Sequence, residues 1–260
     1  MAASTSRTSR REYTGIVTLL TDLQTLYHLA VKPVRGDTHA ERLESFYAGQ
    51  AAQYDSFRRR LLQGREELTG AIDQTRGAVW VDMGGGTGAN LECLGPRVGE
   101  LKRFYVVDLS PSLLDLARRQ IAERQLGNVE AVEADATTFT PAEGQVDVVT
   151  FSYSLTMIPN WIAAVEHAWS LLRPGGRIGI VDFYVSRKHP PHGNRRHAWL
   201  TRTFWPLWFA RDNVFLSPDH LPHVQWRFES LVCEERRARL PYLPLSRVPY
   251  YLFVGRKPST

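Results

Sequence analysis

Short apolar runs alternate with amphipathic stretches through the middle of the chain. Runs near 78–83, 103–108, 128–134, 146–152 and 176–182 have strand character, and helical periodicity fills the intervals. That alternation predicts a mostly parallel sheet covered by helices. Ahead of it, Glu12 to Val31 places Ile16, Leu19, Leu20, Leu23, Leu26, Tyr27 and Ala30 on one stripe, which stops at the breaker run Lys32-Pro33-Val34-Arg35-Gly36. A second helical region runs from Thr38 to about Gln74. These stretches predict an N-terminal helical cap over 12–74, behind a flexible tail at 1–11. After Asp182, two more strands at about 223–233 and 248–256, separated by Pro241, Pro244 and Pro249, predict a closing antiparallel hairpin. Residues 75–260 then read as one α/β unit with a basic aromatic insertion at about 186–215.

Composition adds limits. With 260 residues, 43% of them hydrophobic, the chain can bury a full core. No apolar span reaches the length needed to cross a bilayer, and the first eleven residues lack the apolar segment of a secretory signal. Cys93 and Cys233 are the only cysteines, a usage that fits a reducing, cytoplasmic compartment and gives no metal site.

The candidate chemistry begins at Val81-Asp82-Met83-Gly84-Gly85-Gly86-Thr87-Gly88. Glycines let the backbone turn sharply from strand to helix and approach a ligand without Cβ atoms in the way. Such a turn serves NAD, FAD and S-adenosylmethionine alike, or only a tight bend. An acid, Asp108, ends the next strand 20 residues after Gly88 and can take two ribose hydroxyls. Another, Asp135, follows the third strand and can reach an adenine amino group. The turn Leu172-Arg173-Pro174-Gly175-Gly176 into the fifth strand resembles the hallmark of class I S-adenosylmethionine-dependent methyltransferases. One such feature is a common coincidence; four at these intervals are not. The resemblance implies a Rossmann-like, seven-stranded fold. Candidate cofactor-binding positions are Asp82, Gly84, Gly86, Asp108, Leu109, Asp135, Ala136 and Ser152, with S-adenosyl-L-homocysteine as the spent cofactor.

Net charge is +5, but its distribution says more. No Asp or Glu occurs from 183 to 211, an interval holding Arg187, Lys188, Arg195, Arg196, Arg202 and Arg211. Within it, Trp199, Phe204, Trp205, Trp208 and Phe209 cluster. Tryptophans with cationic flanks suit an anionic membrane surface, at about 1 kcal/mol per charge. An aromatic lid over a small-molecule site is the alternative. Nucleic acid fits less well, because Phe151-Ser152-Tyr153-Ser154-Leu155 lacks the Pro-Pro-aromatic run that grips a flipped base. His189 and His192 read as surface histidines.

Several segments resemble a narrower family, the diacylglyceryl-homoserine N-methyltransferases (BtaB-like) of betaine-lipid synthesis. They are His39–Tyr47, Tyr54–Glu66, Asp108-Leu109-Ser110-Pro111-Ser112, Ser152–Pro159, Val181–Val185 and Phe204–Phe209. The resemblance implies trimethylation of diacylglyceryl-homoserine, peripheral association with the inner face of the membrane, and a separate aminocarboxypropyl transferase as partner. It points to Tyr54 and Arg65 for the amino-acid end of the cofactor. Arg58, Arg59 and Arg60 could hold the homoserine carboxylate or simply be solvated. Tyr153 and Tyr184, which follow strands four and five, are candidates for an aromatic cage around the growing cation, or are packing tyrosines.

Overall fold

Every apolar run read as a central strand lies in one sheet. The computed structural model describes residues 38, 41, 61–73, 76–211, 213–240 and 243–259. Its strands are β1 (Val79–Met83), β2 (Arg103–Asp108), β3 (Val129–Glu133), β4 (Val146–Ser152), β5 (Leu172–Phe183), β6 (Glu229–Leu240) and β7 (Leu243–Arg256). Their order in space is β3-β2-β1-β4-β5-β7-β6. Strands β1 to β5 pair in parallel, whereas β7 runs antiparallel to both β5 and β6. This is the Rossmann-like, mostly parallel seven-stranded sheet with an antiparallel C-terminal hairpin. Strand order reverses at β1 and β4, which opens a crevice at their carboxyl ends.

Six α-helices are described: α1 (Arg65–Ala71), α2 (Ala89–Leu94), α3 (Pro111–Glu123), α4 (Trp161–Leu171), α5 (Trp199–Ala210) and α6 (His220–Arg227). Side chains of α1, α2, α3 and α5 pack with Trp80, Phe104, Val106, Val148 and Val181 on one sheet face. Those of α4 and α6 pack with Val81, Tyr105, Val149, Phe151 and Ile180 on the other. Local chemistry sets the helix starts. Ser110 caps α3 by accepting the Leu113 N–H at 3.4 Å, with Pro111 at the first helical position. Asn160 caps α4 by accepting the Ala163 N–H at 3.3 Å. The stretch expected as a turn into the fifth strand lies within β5, where its pairing with β4 shifts register between Leu172 and Arg177. A Cβ on Gly176 there would stand 2.9 Å from the Arg173 carbonyl oxygen and 3.1 Å from that of Asp147, so only glycine fits.

Three expectations change. Residues 220–227 form α6 rather than the start of a strand, because His220, Leu221 and Val224 bury together at helical spacing. Pro222 falls in its first turn, where the missing N–H costs nothing. Strand β7 begins at Leu243 and includes Pro244 and Pro249. Pro249 lies one residue beyond Tyr250, the last β7 residue paired with β5, so it interrupts no central ladder. The helical region expected to reach Gln74 is broken at Gly64 (φ 93°), and α1 ends at Ala71. Thr38 and Glu41 do form a reciprocal capping box, each N–H donating to the other's side chain at 3.1 and 3.2 Å. Most of the expected cap and tail lies outside the described residues.

Helix α1 approaches β5 at Gly179, where an added Cβ would sit 2.6 Å from Ile72 Cδ1 and 3.3 Å from Leu68 Cδ1. Gly179→Val should therefore cost about 1–3 kcal/mol through overpacking. Urea unfolding checks this, and an unchanged midpoint would contradict so close a contact.

Candidate active site

The crevice is built on the turn between β1 and α2. Gly84 has φ 67°, and a Cβ there would lie 2.4 Å from the Cβ of Ser154 on the segment leaving β4. Ser154 is held in that place by donating to the Met83 carbonyl at 2.8 Å. Any side chain at Gly84 would push the two strand ends apart. Gly86, at φ 56°, has nothing within 3.6 Å of a built Cβ and faces the cavity. The turn is stitched to β2: Gly85 N–H donates to the Val107 carbonyl at 3.0 Å and Gly86 N–H to Asp108 Oδ2 at 2.9 Å.

A cavity of about 360 Å³ opens over this turn. Asp108 lines it, with Oδ1 accepting the Ser110 N–H at 2.9 Å. Two backbone donors thus aim the carboxylate. Leu109, Leu113, Ala134 and Ile158 make an apolar slot of the right character for a flat ring. At its rim Asp135 accepts from both the N–H and hydroxyl of Thr137 at 2.7 Å, beside Ala136. Carboxylate, apolar slot and second carboxylate are the groups a purine nucleoside requires, so the residues present fit the adenosine half of S-adenosylmethionine. Leu113, Thr137 and Asn160, which also line the cavity, were not singled out from sequence, and Met157, Ile158 and Pro159 entered only as part of the quoted segment Ser152–Pro159. Nothing in their residue types distinguishes them from packing groups.

Beneath the turn runs a buried polar chain. Trp80 Nε1 donates to Thr150 Oγ1 (3.0 Å), and Thr150 donates to Asp82 Oδ1 (2.7 Å). Asn90 Nδ2 lies 2.8 Å from both Asp82 Oδ1 and Ser152 Oγ. Asp82 and Ser152 therefore stand behind the glycine turn, not on the cavity wall. Asp82 Oδ2 has no hydrogen-bond partner among the described residues. Burial pushes the Asp82 carboxyl up to about 6, against hydrogen bonds from Thr150 and Asn90 and the charge of Arg65. Arg65, in the first turn of α1, reaches Ser152 O at 3.4 Å and lies 5.5 Å from the Tyr153 ring centre. Asn90 is a site residue that sequence reading missed; its place in the first helical turn after the glycines was the available signal.

The two cage candidates part company. Tyr153 lines the cavity, with its ring 4.7 Å from Phe183 and its hydroxyl donating to the Gln63 carbonyl. Burial pushes its phenol well up, so it is a neutral donor. Tyr184 does not reach the cavity. Its ring packs on His197 and Tyr251 on the opposite sheet face, and its hydroxyl donates to Glu235. The reason is the backbone at Tyr153 (φ 58°), which swings that ring to the Phe183 side, while Tyr184 keeps the strand's alternation. Tyr184 is thus a packing tyrosine. Tyr54 and Arg58 to Arg60 lie outside the described residues. His189 and His192 are exposed, as expected of surface histidines.

The glycine turn, the strand-end acid and this strand order are those of the class I methyltransferase fold. Comparison with known proteins agrees. Residues 81–176 match the methyltransferase domain family. The ubiquinone/menaquinone biosynthesis C-methyltransferase UbiE of Klebsiella pneumoniae is 28% identical over 171 residues, 64% of this chain and 68% of that one. Among solved structures, the [4+2]-cyclase SpnF aligns with TM-score 0.64 at 15% identity, over 88% of this chain and all of that one. Phosphoethanolamine N-methyltransferase 2 of Haemonchus contortus, solved with phosphomonomethylethanolamine and S-adenosylhomocysteine, aligns with TM-score 0.60 at 14% identity, over 83% and 60%. The protein is an S-adenosylmethionine-dependent methyltransferase.

Two measurements bear on the site. Asp108→Ala should weaken S-adenosylmethionine binding by about 1.5–3 kcal/mol, the loss expected for charge-assisted hydrogen bonds; equal affinity by calorimetry would remove Asp108 from the site. Asp82, with its carboxyl near 6, is ionised above that pH and neutral below it. A negative charge behind the turn favours a cationic ligand, so cofactor affinity should fall as pH drops from 7 to 5. Asp82→Asn should flatten that dependence, and an undiminished slope in the variant would assign it to another group.

Proposed function

We propose that the enzyme methylates the amine of diacylglyceryl-homoserine three times, giving diacylglyceryl-N,N,N-trimethylhomoserine. The observation that carries the reading is the character of the cavity beyond the glycine turn. Tyr153, Met157, Ile158 and Pro159 wall it, and Asp108, Asp135 and Tyr153 are the only ionisable residues on its lining among those described. Such a wall suits a neutral amine as it enters and a quaternary ammonium as it leaves. The resemblance to betaine-lipid methyltransferases, whose quoted segments include this wall, supplies the substrate.

Bound S-adenosylmethionine supplies an already activated methyl group, so the protein's task is alignment and exclusion of water. In this reading Asp108 takes the ribose hydroxyls, Asp135 and Ala136 border the adenine, and Arg65 faces the cofactor carboxylate. The amine must be neutral to attack. With a lysine-like pKa of about 10.4, that costs roughly 4.6 kcal/mol at pH 7, and the apolar wall lowers the cost by disfavouring the charged form. The ring of Tyr153 offers the product cation about 0.5–2 kcal/mol. Among the described residues the lining carboxylates Asp108 and Asp135 are given to the cofactor in this reading and no other group stands out as a general base, so the proton departs to water. A separate aminocarboxypropyl transferase would furnish the substrate, and the work would take place at the inner face of the membrane.

A second reading, methylation of a ring carbon on a quinone-like lipid, is favoured by the UbiE relative. The fold does not choose between them, because proteins named for N-methyl transfer and for cyclisation share it. Incubation with labelled S-adenosylmethionine, diacylglyceryl-homoserine and a lipid quinone precursor together, followed by mass spectrometry, decides. Mono-, di- and trimethyl lipids ending in the last are expected. Monomethyl product alone under excess cofactor would contradict trimethylation, and label entering only a quinone fraction would favour the second reading.

A further inference from the structure

Helix α5 carries an apolar face that is exposed among the described residues. At about 100° per residue, Trp199, Leu200, Phe204, Leu207 and Trp208 fall on one half of its circumference, and Trp205 and Phe209 on the other. The halves differ sharply in exposure: Trp199 is 68% and Leu207 69% exposed, whereas Trp205 and Phe209 are each 6%. Trp205 therefore anchors the helix to the core and takes no part in the outer surface, contrary to the simplest reading of the tryptophan cluster. Phe215, just beyond the helix, is 55% exposed as well. A contiguous apolar surface of this kind on a folded protein marks a contact site.

The charge around it selects the partner. Lys188, Arg195 and Arg196 precede the helix and are exposed, Arg202 lies within it and Arg211 ends it, with no acid from 183 to 211. Two nearby carboxylates among the described residues are already engaged: Glu235 accepts the Arg195 N–H and the Tyr184 hydroxyl, and Asp219 pairs with Arg187 at 2.6 Å. Exposed tryptophans and leucines inside a cationic border match an anionic bilayer surface, where rings sit at headgroup depth and cations meet phosphates. A second copy of this chain would bring the same cations against one another. The helix is also tied to the cavity. Phe209 lies 5.1 Å from Phe183, which lies 4.7 Å from Tyr153. Phe215 N–H donates at 2.7 Å to the carbonyl of Thr156, beside the lining residues Met157 and Ile158.

We infer that the outer face of α5, with Trp199, Leu200, Phe204, Leu207 and Trp208 inserted, docks the enzyme on an anionic bilayer and sets the cavity beside the headgroups. This deepens the lipid-amine reading above and rests on it for its purpose, though the docking itself is measurable without a substrate. The test is flotation with phosphatidylcholine–phosphatidylglycerol vesicles. The parent enzyme should bind and lose part of that binding at high salt. The exposed triple variant Trp199→Ser/Leu207→Ser/Trp208→Ser should bind at least about tenfold more weakly, with S-adenosylmethionine affinity unchanged as a check on folding. A parent enzyme that ignores the vesicles, or a variant that floats as well as the parent, would overturn the inference. So would light scattering that shows a dimer dissociated by the same substitutions without any vesicle binding. Vesicle binding through α5 by an enzyme that leaves diacylglyceryl-homoserine unmethylated would retire the substrate and keep the docking face. Methylation of that lipid at an equal rate by the triple variant would do the reverse.

Discussion

The buried polar chain under the glycine turn holds the site together. Trp80, Thr150, Asp82, Asn90 and Ser152 belong to β1, β4 and α2, and their hydrogen bonds fix those three elements relative to one another. Asp82 sits at the centre of this chain at a cost, since burial opposes its charge. What the cost secures is a turn that cannot shift, because Gly84 already meets Ser154 with no room for a side chain. The cavity, the aim of Asp108 and the position of Tyr153 all follow from that contact.

The wall of the cavity has a comparable support on its other side. Asp182, fully buried at the end of β5, accepts the N–H and hydroxyl of Thr156 at 3.1 and 2.8 Å and the Phe183 N–H at 2.7 Å. Burial lifts its carboxyl to about 7 even so. Thr156 in turn offers its carbonyl to Phe215. One residue thus links the core of the sheet, the lining at Met157 and Ile158, and the segment leaving α5. The segment leaving α5 and the lining of the pocket share this joint.

The basic segment is fastened just as firmly at its start. His197 Nδ1 accepts the Ser186 N–H at 3.0 Å, while its own N–H donates to Ser186 Oγ at 2.8 Å. Burial, with Arg237, Arg195 and Arg202 nearby, lowers His197 to about 4 and keeps it neutral. This histidine is a clasp rather than a catalyst. The segment leading into α5 is therefore tied back to the chain that leaves β5.

Much of this was open to inspection in the chain itself. Short apolar runs ending in glycine or acid specify buried parallel strands, and the left-handed backbone at Gly84, Gly86 and Gly88 favours glycine for a local reason. The class of enzyme followed from those features because close approach to a nucleotide admits few other residues. Tertiary structure decided what depends on neighbours distant in sequence. Residues 220–227 became helix because burial against β6 and β7 outweighed their strand-like composition. Tyr153 and Tyr184 look equivalent in the chain, yet one left-handed residue sends their rings to opposite faces of the sheet. Trp205 and Trp208 are likewise three residues apart in one cluster, and only packing determines that the first is core and the second surface. Composition can state that a stretch is aromatic and basic; which side of it meets water is settled by the fold.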